Sequence, residues 1–424
     1  MSRKLRKRIG HGIQAIFIKW TSKTFASSSA ISPSPNPSIQ LPNELIQYIL
    51  EHLYSDTPTL LNCALVARAW ATPSQRGIFR EVILQLPYAS SRKKTYRLFA
   101  ASYVQLLKLY NFYGYLVEEA TVTFLHAAAA LIIQRLSKAR VNKVHISGVA
   151  WYRLRISLKS ALTDIFRAPS LTEVQLFYFP IFTFAELASG YATHLKVLHV
   201  SGDWDIRDGS SILQSHMEKS VAPRSIQLDQ LGLGYIPRFD FLTWLQQDSC
   251  PFDVRNLQVL RIGINPYASA MVRYLGRSLR ELELLEDYPF YRNQSDLVNV
   301  IPLEYTPNLR SLTVNITTDC PVRYIEALFE PLQNPDVDAR FSLRRLNINV
   351  RFYYPGTAPS IQNLCERWAA LNTILENPEF SLLEIVHIRL IEDLRAIPKI
   401  LREFFRRTFS SLEGSRRLVV QVEE

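Results

Sequence analysis

Short segments with apolar residues at the first, fourth and sixth positions recur through the second two thirds of the chain. Their last three positions alternate between apolar and polar residues, which is typical of a strand with one buried face. Clear copies begin at residues 171, 195, 257, 279, 309 and 343, and weaker copies cover residues 141–146, 225–228 and 383–388. Intervals of roughly 22 to 40 residues leave room for a turn and a helix. The pattern predicts an α/β solenoid with a parallel sheet inside and helices outside.

A row of polar residues is expected on the inner, concave face of this sheet. The residue between the last two apolar positions of each copy must point away from the core, and in every copy it is polar. We interpret the row as a protein-binding surface that comprises Gln175, His199, Gln227, Arg261, Glu283, Thr313, Asn347 and His387. On adjacent strands, about 4.8 Å apart, Arg261 and Glu283 should pair. A more mixed neighbouring row should contain Glu173, Val197, Ser225, Val259, Glu281, Ser311, Arg345 and Ile385.

Aromatic residues follow several of the predicted strands, at residues 177–180, 288–291 and 352–355. Exposed aromatic side chains on loops beside a rigid sheet are plausible anchors for a partner. Aromatic residues also fill irregular cores beneath long loops. The sequence leaves both interpretations open.

Two short helices are predicted between residues 42 and 70. Pro42 suits a first helical turn, and Glu44 places negative charge near the helix N-terminus. Apolar residues then follow at helical spacing, and the second helix is apolar on two sides. A module of about 40 residues is too small to bury both sides, so an exposed apolar patch implies a partner.

These residues resemble the F-box family. The pattern Leu-Pro-x-Glu stands at residues 41–44, Ile-Leu-x-x-Leu at 49–53 and Val-x-x-x-Trp at 66–70. The resemblance implies docking on the Skp1 subunit of a cullin-based ubiquitin ligase. The positions implied to touch Skp1 are Leu41, Pro42, Glu44, Ile49, Leu50, Leu65, Val66 and Trp70. The repeats resemble the irregular leucine-rich repeats that follow F-boxes in many adaptors, especially fungal ones.

Four regions are predicted along the chain. Residues 1–38 form a basic, Ser/Pro-rich disordered leader, and residues 39–84 form the F-box. Residues 85–140 form a helical junction, with helical stretches at residues 96–113 and 127–136. Residues 141–424 form the leucine-rich-repeat-like solenoid.

The net charge of +11 is concentrated in the leader, where residues 1–38 contain seven Lys or Arg and no acid. This leader fits three interpretations: a nuclear-import or anionic-surface patch, an organelle transit peptide, or a solvated tail. Only +4 remains for the rest of the chain, so the folded part needs no nucleic-acid partner to explain its charge. A nucleic-acid interaction through the leader would depend steeply on salt.

Residue patterns that would indicate catalysis are not found. The four cysteines are far apart and no histidine cluster accompanies them, which argues against a disulfide framework, a metal site or a cofactor. No stretch is long and apolar enough for a membrane span. We therefore expect a non-enzymatic, intracellular protein of the cytoplasm, the nucleus or both.

Together the patterns predict a substrate-recognition adaptor of an SCF-type ubiquitin ligase, with the F-box on Skp1 and the solenoid on a protein client. The alternative is a leucine-rich-repeat scaffold that binds proteins without a ligase role. The sequence does not identify the client.

Overall fold

The structure is a computed structural model of the chain. It describes residues 42–54, 56–66, 68–78, 80–85, 105–110, 119–136, 141–179, 181–202, 226–234, 240–248, 250–285, 301–317, 342–352, 371–376, 380–392 and 417–423, with isolated positions 325, 328, 329, 368, 407–409 and 414. The predicted leader, residues 1–38, lies outside the described residues. The chain divides into two units, Met1–His52 and Leu53–Glu424, which are described separately.

The described part of the first unit is helix α1 (Asn43–His52) and the residue before it. The carbonyl of Pro42 accepts the N–H groups of Leu45 and Ile46, both at 3.1 Å, and so begins the helix. Glu44 lies in the first turn and His52 in the last, an order that suits the helix dipole.

Two helices open the second unit, α2 (Thr57–Val66) and α3 (Arg68–Ile78). Asp56 caps α2: its carboxylate accepts the Thr59 N–H at 3.1 Å and the Thr59 hydroxyl at 2.5 Å. These two hydrogen bonds, the hydroxyl first, lower the pKa of Asp56. A Cβ at Gly77 would lie 2.5 Å from the Tyr54 ring and 2.8 Å from Leu60, so a glycine lets α3 approach α2 closely.

The strands show the period-two alternation that the sequence predicts. They are β1 (Glu81–Gln85), β2 (Leu106–Tyr110), β3 (Lys143–Ser147), β4 (Glu173–Phe177), β5 (Val197–Ser201), β6 (Ile226–Gln227), β7 (Gln230–Leu233), β8 (Phe252–Asp253), β9 (Val259–Gly263), β10 (Glu281–Leu285), β11 (Ser311–Thr317), β12 (Arg345–Phe352), β13 (Ile385–Glu392) and β14 (Leu418–Glu423). In β4, for example, Val174 and Leu176 are buried, whereas Glu173, Gln175 and Phe177 are partly exposed.

Twelve of these strands form one parallel sheet in the order β1-β2-β3-β4-β5-β7-β9-β10-β11-β12-β13-β14. Each strand pairs only with the strands before and after it in this series. The remaining two, β6 and β8, form a separate two-stranded parallel sheet. The α/β class with a large parallel sheet is therefore confirmed.

The expectation of a helix across residues 96–113 is wrong at Leu106–Tyr110, which form strand β2. Leu107 and Leu109 are buried and alternate with partly exposed neighbours, so period two prevails over the helical spacing in this segment. The sheet thus begins upstream of residue 141, and β1 crosses the boundary expected at residue 84. Residues 127–136 are helical as expected, within the longer helix α4 (Glu119–Leu136).

Further helices and turns fill the intervals between strands. They are α5 (Ile156–Phe166), α6 (Ile181–Ala188), α7 (Asp240–Gln246), α8 (Pro266–Leu275) and the 3₁₀ turns Trp151–Arg153, Gly276–Ser278 and Leu303–Tyr305. Their apolar side chains join those of the strands in one continuous core. Phe166 of α5 lies in its most aromatic part, with ring centroids 6.1 Å from Phe179 and 5.1 Å from Phe184.

Candidate functional site

Helix α1 carries two apolar stripes, of which one is buried and the other exposed. Ile46 and Leu50 are buried, four residues apart. Ile49 is 40% exposed, and Pro42 and Glu44 are also exposed. Leu50 is fully buried, so of the residues predicted to touch Skp1 it presents no side-chain surface here, and its docking role stays a prediction. Leu41 lies outside the described residues.

The sequence analysis missed two exposed apolar residues on α1. Leu45 and Tyr48 are exposed, and with Ile49 and His52 they occupy positions i, i+3, i+4 and i+7 of one helical face. The Tyr48 and His52 rings meet edge to face at 4.7 Å. The spacing was visible in the sequence, but a helical pattern alone does not show which stripe is buried.

Helix α2 also exposes apolar side chains. Leu60 is fully buried, whereas Leu61 and Leu65 are 43% and 60% exposed. Trp70 of α3 is half-buried, and the side chain of Val66 lies outside the described part. Leu65 is therefore a predicted docking residue with an exposed apolar surface, and Leu61 is a further exposed apolar residue that the prediction did not include.

Seven of the eight residues predicted for the concave row share one register position of the large sheet. Hydrogen-bonded strands place Gln175 beside His199, Arg261 beside Glu283 and Thr313 beside Asn347. Glu283 is likewise the register partner of Thr313, and Asn347 is the register partner of His387. We call this register position the polar row; it holds Ile83, Lys108, His145, Gln175, His199, Gly232, Arg261, Glu283, Thr313, Asn347, His387 and Val419.

Gln227 is the exception, and its placement in the row is wrong. It lies in β6 of the small sheet, paired with Asp253, and Gly232 of β7 takes the expected position between His199 and Arg261. The pattern misled because buried Ile226 and Leu228 flank Gln227, just as Leu231 and Leu233 flank Gly232.

In the neighbouring row Gln230 stands between Val197 and Val259, and Ser225 lies outside the described residues. The other residues expected there share that register position.

Ion pairs and hydrogen bonds connect the polar side chains of neighbouring strands. The expected pair between Arg261 and Glu283 is present, with Nε 2.8 Å from Oε2. Glu283 Oε1 also accepts a hydrogen bond from Asn315 Nδ2 at 3.2 Å. Because both members of the ion pair are partly exposed, its contribution to stability is small, under about 1 kcal/mol.

His145 is a member of the polar row that the prediction did not include. Its Nδ1 lies 2.9 Å from the Oε1 of Gln175, and its ring stacks on Phe177 at 5.0 Å. Burial lowers its pKa, and the hydrogen bond to Gln175 partly opposes that shift. The weak repeat at residues 141–146 already placed His145 at the polar position, so the signal was available.

His199 leans over the next strand, where Gly232 leaves space for it. A Cβ at Gly232 would lie 2.0 Å from the His199 Nδ1, so any side chain there would displace the imidazole ring. Burial lowers the pKa of His199, the charge of Arg261 lowers it further, and Glu173 opposes both. At neutral pH His199 is therefore uncharged in the folded chain.

We expect the free energy of unfolding to fall as the pH is lowered below about 6.5. In the unfolded chain His145 and His199 keep pKa values near 6.5, but in the folded chain both values are lower. Below about pH 6.5 the unfolded state then binds more protons than the folded state. The two histidines therefore contribute fully to the free energy of unfolding above about pH 6.5, and this contribution is lost as the pH falls through their folded pKa values. Urea unfolding at pH 7.5 and 5.5 measures the difference.

The double variant His145→Gln/His199→Gln should lose less stability between these two pH values than the wild type. His194→Gln is the matched control, since His194 is exposed. An unchanged pH dependence in the double variant would contradict the assignment to the sheet histidines.

The aromatic segment at residues 177–180 contains both a buried core residue and an exposed residue, so each of the two interpretations of the sequence fits part of it. Phe179 is fully buried in the core, whereas Tyr178 is exposed and has a positive φ of 55°. A Cβ at Gly202 would meet the Tyr178 ring at 2.6 Å, so the ring lies directly on that glycine. Residues 288–291 and 353–355 lie outside the described part of the chain.

Within the described ranges, no group of three or more His, Cys, Asp or Glu side chains is placed to hold a metal ion. In the same ranges no helix has the length and apolar character needed to cross a bilayer.

The fold and its surfaces thus define a mixed α/β protein that has an N-terminal helical module and a large parallel sheet. The helical module matches the F-box-like family model over residues 39–85, about a tenth of the chain. This match supports an F-box protein; such domains generally bind Skp1-like subunits and in general indicate a substrate adaptor of an SCF-type ubiquitin ligase. Comparison with curated proteins finds no match to the chain.

Proposed function

We propose that this chain is the substrate-recognition adaptor of an SCF-type ubiquitin ligase. Its F-box-like domain docks on Skp1, and the polar face of its leucine-rich-repeat solenoid holds a protein client. The main support is that each unit exposes apolar side chains within the matched segment: Leu45, Tyr48 and Ile49 on α1 in the first, and Leu61 and Leu65 on α2 in the second. Exposed apolar side chains in this number on so short a segment favour a protein partner.

The chain would act by proximity and would need no catalytic group of its own. Holding the client beside an activated ubiquitin raises the effective concentration of the two reactants. In this role the polar row supplies the client contacts, through residues such as Gln175, Arg261, Glu283 and Asn347 on strands β4, β9, β10 and β12. The proposal places the protein in the cytoplasm, the nucleus or both, where Cys63 and Cys250 would remain thiols, as they are here.

Binding of the purified full-length chain to Skp1 tests the proposal. We expect a stable complex in size-exclusion chromatography and calorimetry, and loss of that complex when Leu41 and Pro42 are both changed to Ala. The variant should keep the circular dichroism of the wild type, since Pro42 is exposed. If the wild-type chain fails to bind Skp1, the alternative of a leucine-rich-repeat scaffold without a ligase role is favoured instead.

A further inference from the structure

Cations on the polar face of the first eight strands of the large sheet, β1 to β10 without β6 and β8, are matched by acids on neighbouring strands. Lys108 pairs with Glu81 and Lys143 with Glu173, both at 2.6 Å, and Arg261 pairs with Glu283 at 2.8 Å. In each case the acid lies on the strand beside the cation. This part of the sheet therefore neutralises its own charge.

Strands β11 to β13 differ, because their outward positions carry arginine without acid. The outward positions of β11, β12 and β13 hold Arg345, Arg351 and Arg389 and no Asp or Glu, and the acid of these strands, Glu392 at the end of β13, does not occupy one of those positions. Arg345 and Arg351 are exposed and alternate with the buried residues of β12. Among the described residues, neither has a carboxylate within ion-pair distance. The last strand adds one acid, Glu423, in register with Ile391.

The edge of the sheet where strands β10, β11 and β12 begin is also rich in arginine. Arg280, Arg310 and Arg344 are consecutive in register, since Arg310 N–H donates to the Arg280 carbonyl at 2.8 Å and Arg344 N–H to the Arg310 carbonyl at 2.9 Å. Neighbouring strands place such residues about 4.8 Å apart, where like charges repel. Arg344 pairs with Glu384 at 3.2 Å, but both side chains are more than half exposed, so the pair is weak.

Between the two arginine-bearing ends of β12 the surface is an ordered row of amides. The Asn347 Nδ2 donates to the Thr313 hydroxyl at 3.0 Å, and the Asn349 Nδ2 donates to the side-chain Oδ1 of Asn315 at 2.8 Å. Each carboxamide has further donor and acceptor capacity that a polypeptide backbone could use. The Nε2 of His387 is buried and has no hydrogen-bond partner within the described part of the chain.

We propose that strands β11 to β13 dock an acidic, extended segment of the protein client. The inference rests on the proposed client-holding role of the sheet and adds the chemistry of the client. Arg345 and Arg351 are six residues apart, or about 20 Å, so an extended segment of about seven residues reaches both. The exposed side chains of Ile385 and Val419 beside this surface suit the apolar side chains of a peptide. The chain's own leader carries the wrong sign of charge to be the occupant.

The test uses the full-length chain and a fluorescein-labelled (Glu-Ser)₅ peptide, followed by fluorescence anisotropy at 50 and 200 mM salt. We expect saturable binding that weakens with salt and a dissociation constant raised about tenfold or more in Arg345→Glu/Arg351→Glu. The control Arg135→Glu/Arg273→Glu makes the same change of net charge on exposed arginines of α4 and α8 and should stay within about twofold of the wild type. Thermal unfolding of both variants shows whether the fold is intact.

The outcomes separate this inference from the adaptor proposal. Equal affinity in both double variants would place the acidic peptide elsewhere, for example on the basic leader, and would overturn the inference. Equal affinity of the wild-type chain for a (Lys-Ser)₅ peptide would also overturn it. So would binding of a ten-nucleotide thymidine strand to the wild-type chain that disappears in Arg345→Glu/Arg351→Glu, because the arginines would then form a nucleic-acid site. Skp1 affinity, measured on the same samples, should be unchanged in both variants; its absence in the wild type would contradict the adaptor role alone.

Discussion

Leu65→Asp is expected to raise the dissociation constant of the Skp1 complex by about 100-fold or more. A leucine that becomes fully buried contributes about 1.5–3 kcal/mol, and an unpaired carboxylate in the same apolar contact adds a desolvation cost. Each 1.4 kcal/mol is tenfold in affinity. Because Leu65 is 60% exposed in the free chain, the substitution should not disturb the fold. Calorimetric titration of Skp1 measures the loss.

Leu131→Asp is the matched control for this experiment. Leu131 of α4 is also a leucine with 60% exposure, but it lies outside the F-box-like segment. Its substitution should leave the Skp1 dissociation constant within about twofold of the wild type, since it removes no contact with that partner. Wild-type affinity in Leu65→Asp, or equal losses in the two variants, would remove α2 from the docking surface.

Phe166→Ala is expected to lower the free energy of unfolding by about 3–5 kcal/mol. Phe166 is fully buried and packs edge to face against Phe179 and Phe184, so its removal leaves a cavity and deletes two aromatic contacts. A loss of this size is a large part of the total stability of an ordinary domain. Urea unfolding with linear extrapolation measures it.

Phe177→Ala supplies the comparison for this loss of stability. Phe177 ends strand β4, close in sequence to Phe166 of α5, but its side chain has a different environment. It lies on the polar face, half-buried, and stacks on His145. Its removal opens no closed cavity, so we expect a loss of about 1 kcal/mol. Equal losses in Phe166→Ala and Phe177→Ala would contradict the assignment of the core to the helix side of the sheet.

Much of the sheet could be predicted because alternation over a few residues reports burial directly. Arg261 and Glu283, 22 residues apart in sequence, were expected to pair because each is the polar member of an apolar-polar-apolar triplet. The same rule failed at Gln227, since Gly232 carries no side chain and the sequence offers a second triplet five residues earlier. At β2 a segment rich in leucine satisfied both the helical and the strand period, and its pairing with β1 and β3 decides for the strand.

The docking helices show a different limit of sequence reasoning. Spacing identifies which residues of α1 share a face, but Leu50 proved buried while Leu45 and Tyr48 proved exposed. Which apolar stripe is covered depends on packing across the folded chain, and a helical period contains no information about it. The charge imbalance of β11 to β13 was also hidden, since it becomes visible only when the registers show which cations have acidic neighbours.

The serial order of strands in the large sheet has a consequence for cooperativity. Because β10 pairs only with β9 and β11, and β13 only with β12 and β14, the sheet's energetics reduce to a sum over nearest neighbours. A local defect should then weaken adjoining strands most and distant ones least. Such an assembly can gain or lose a strand unit during evolution and so change the surface of its sheet, without rebuilding helices α1 to α3.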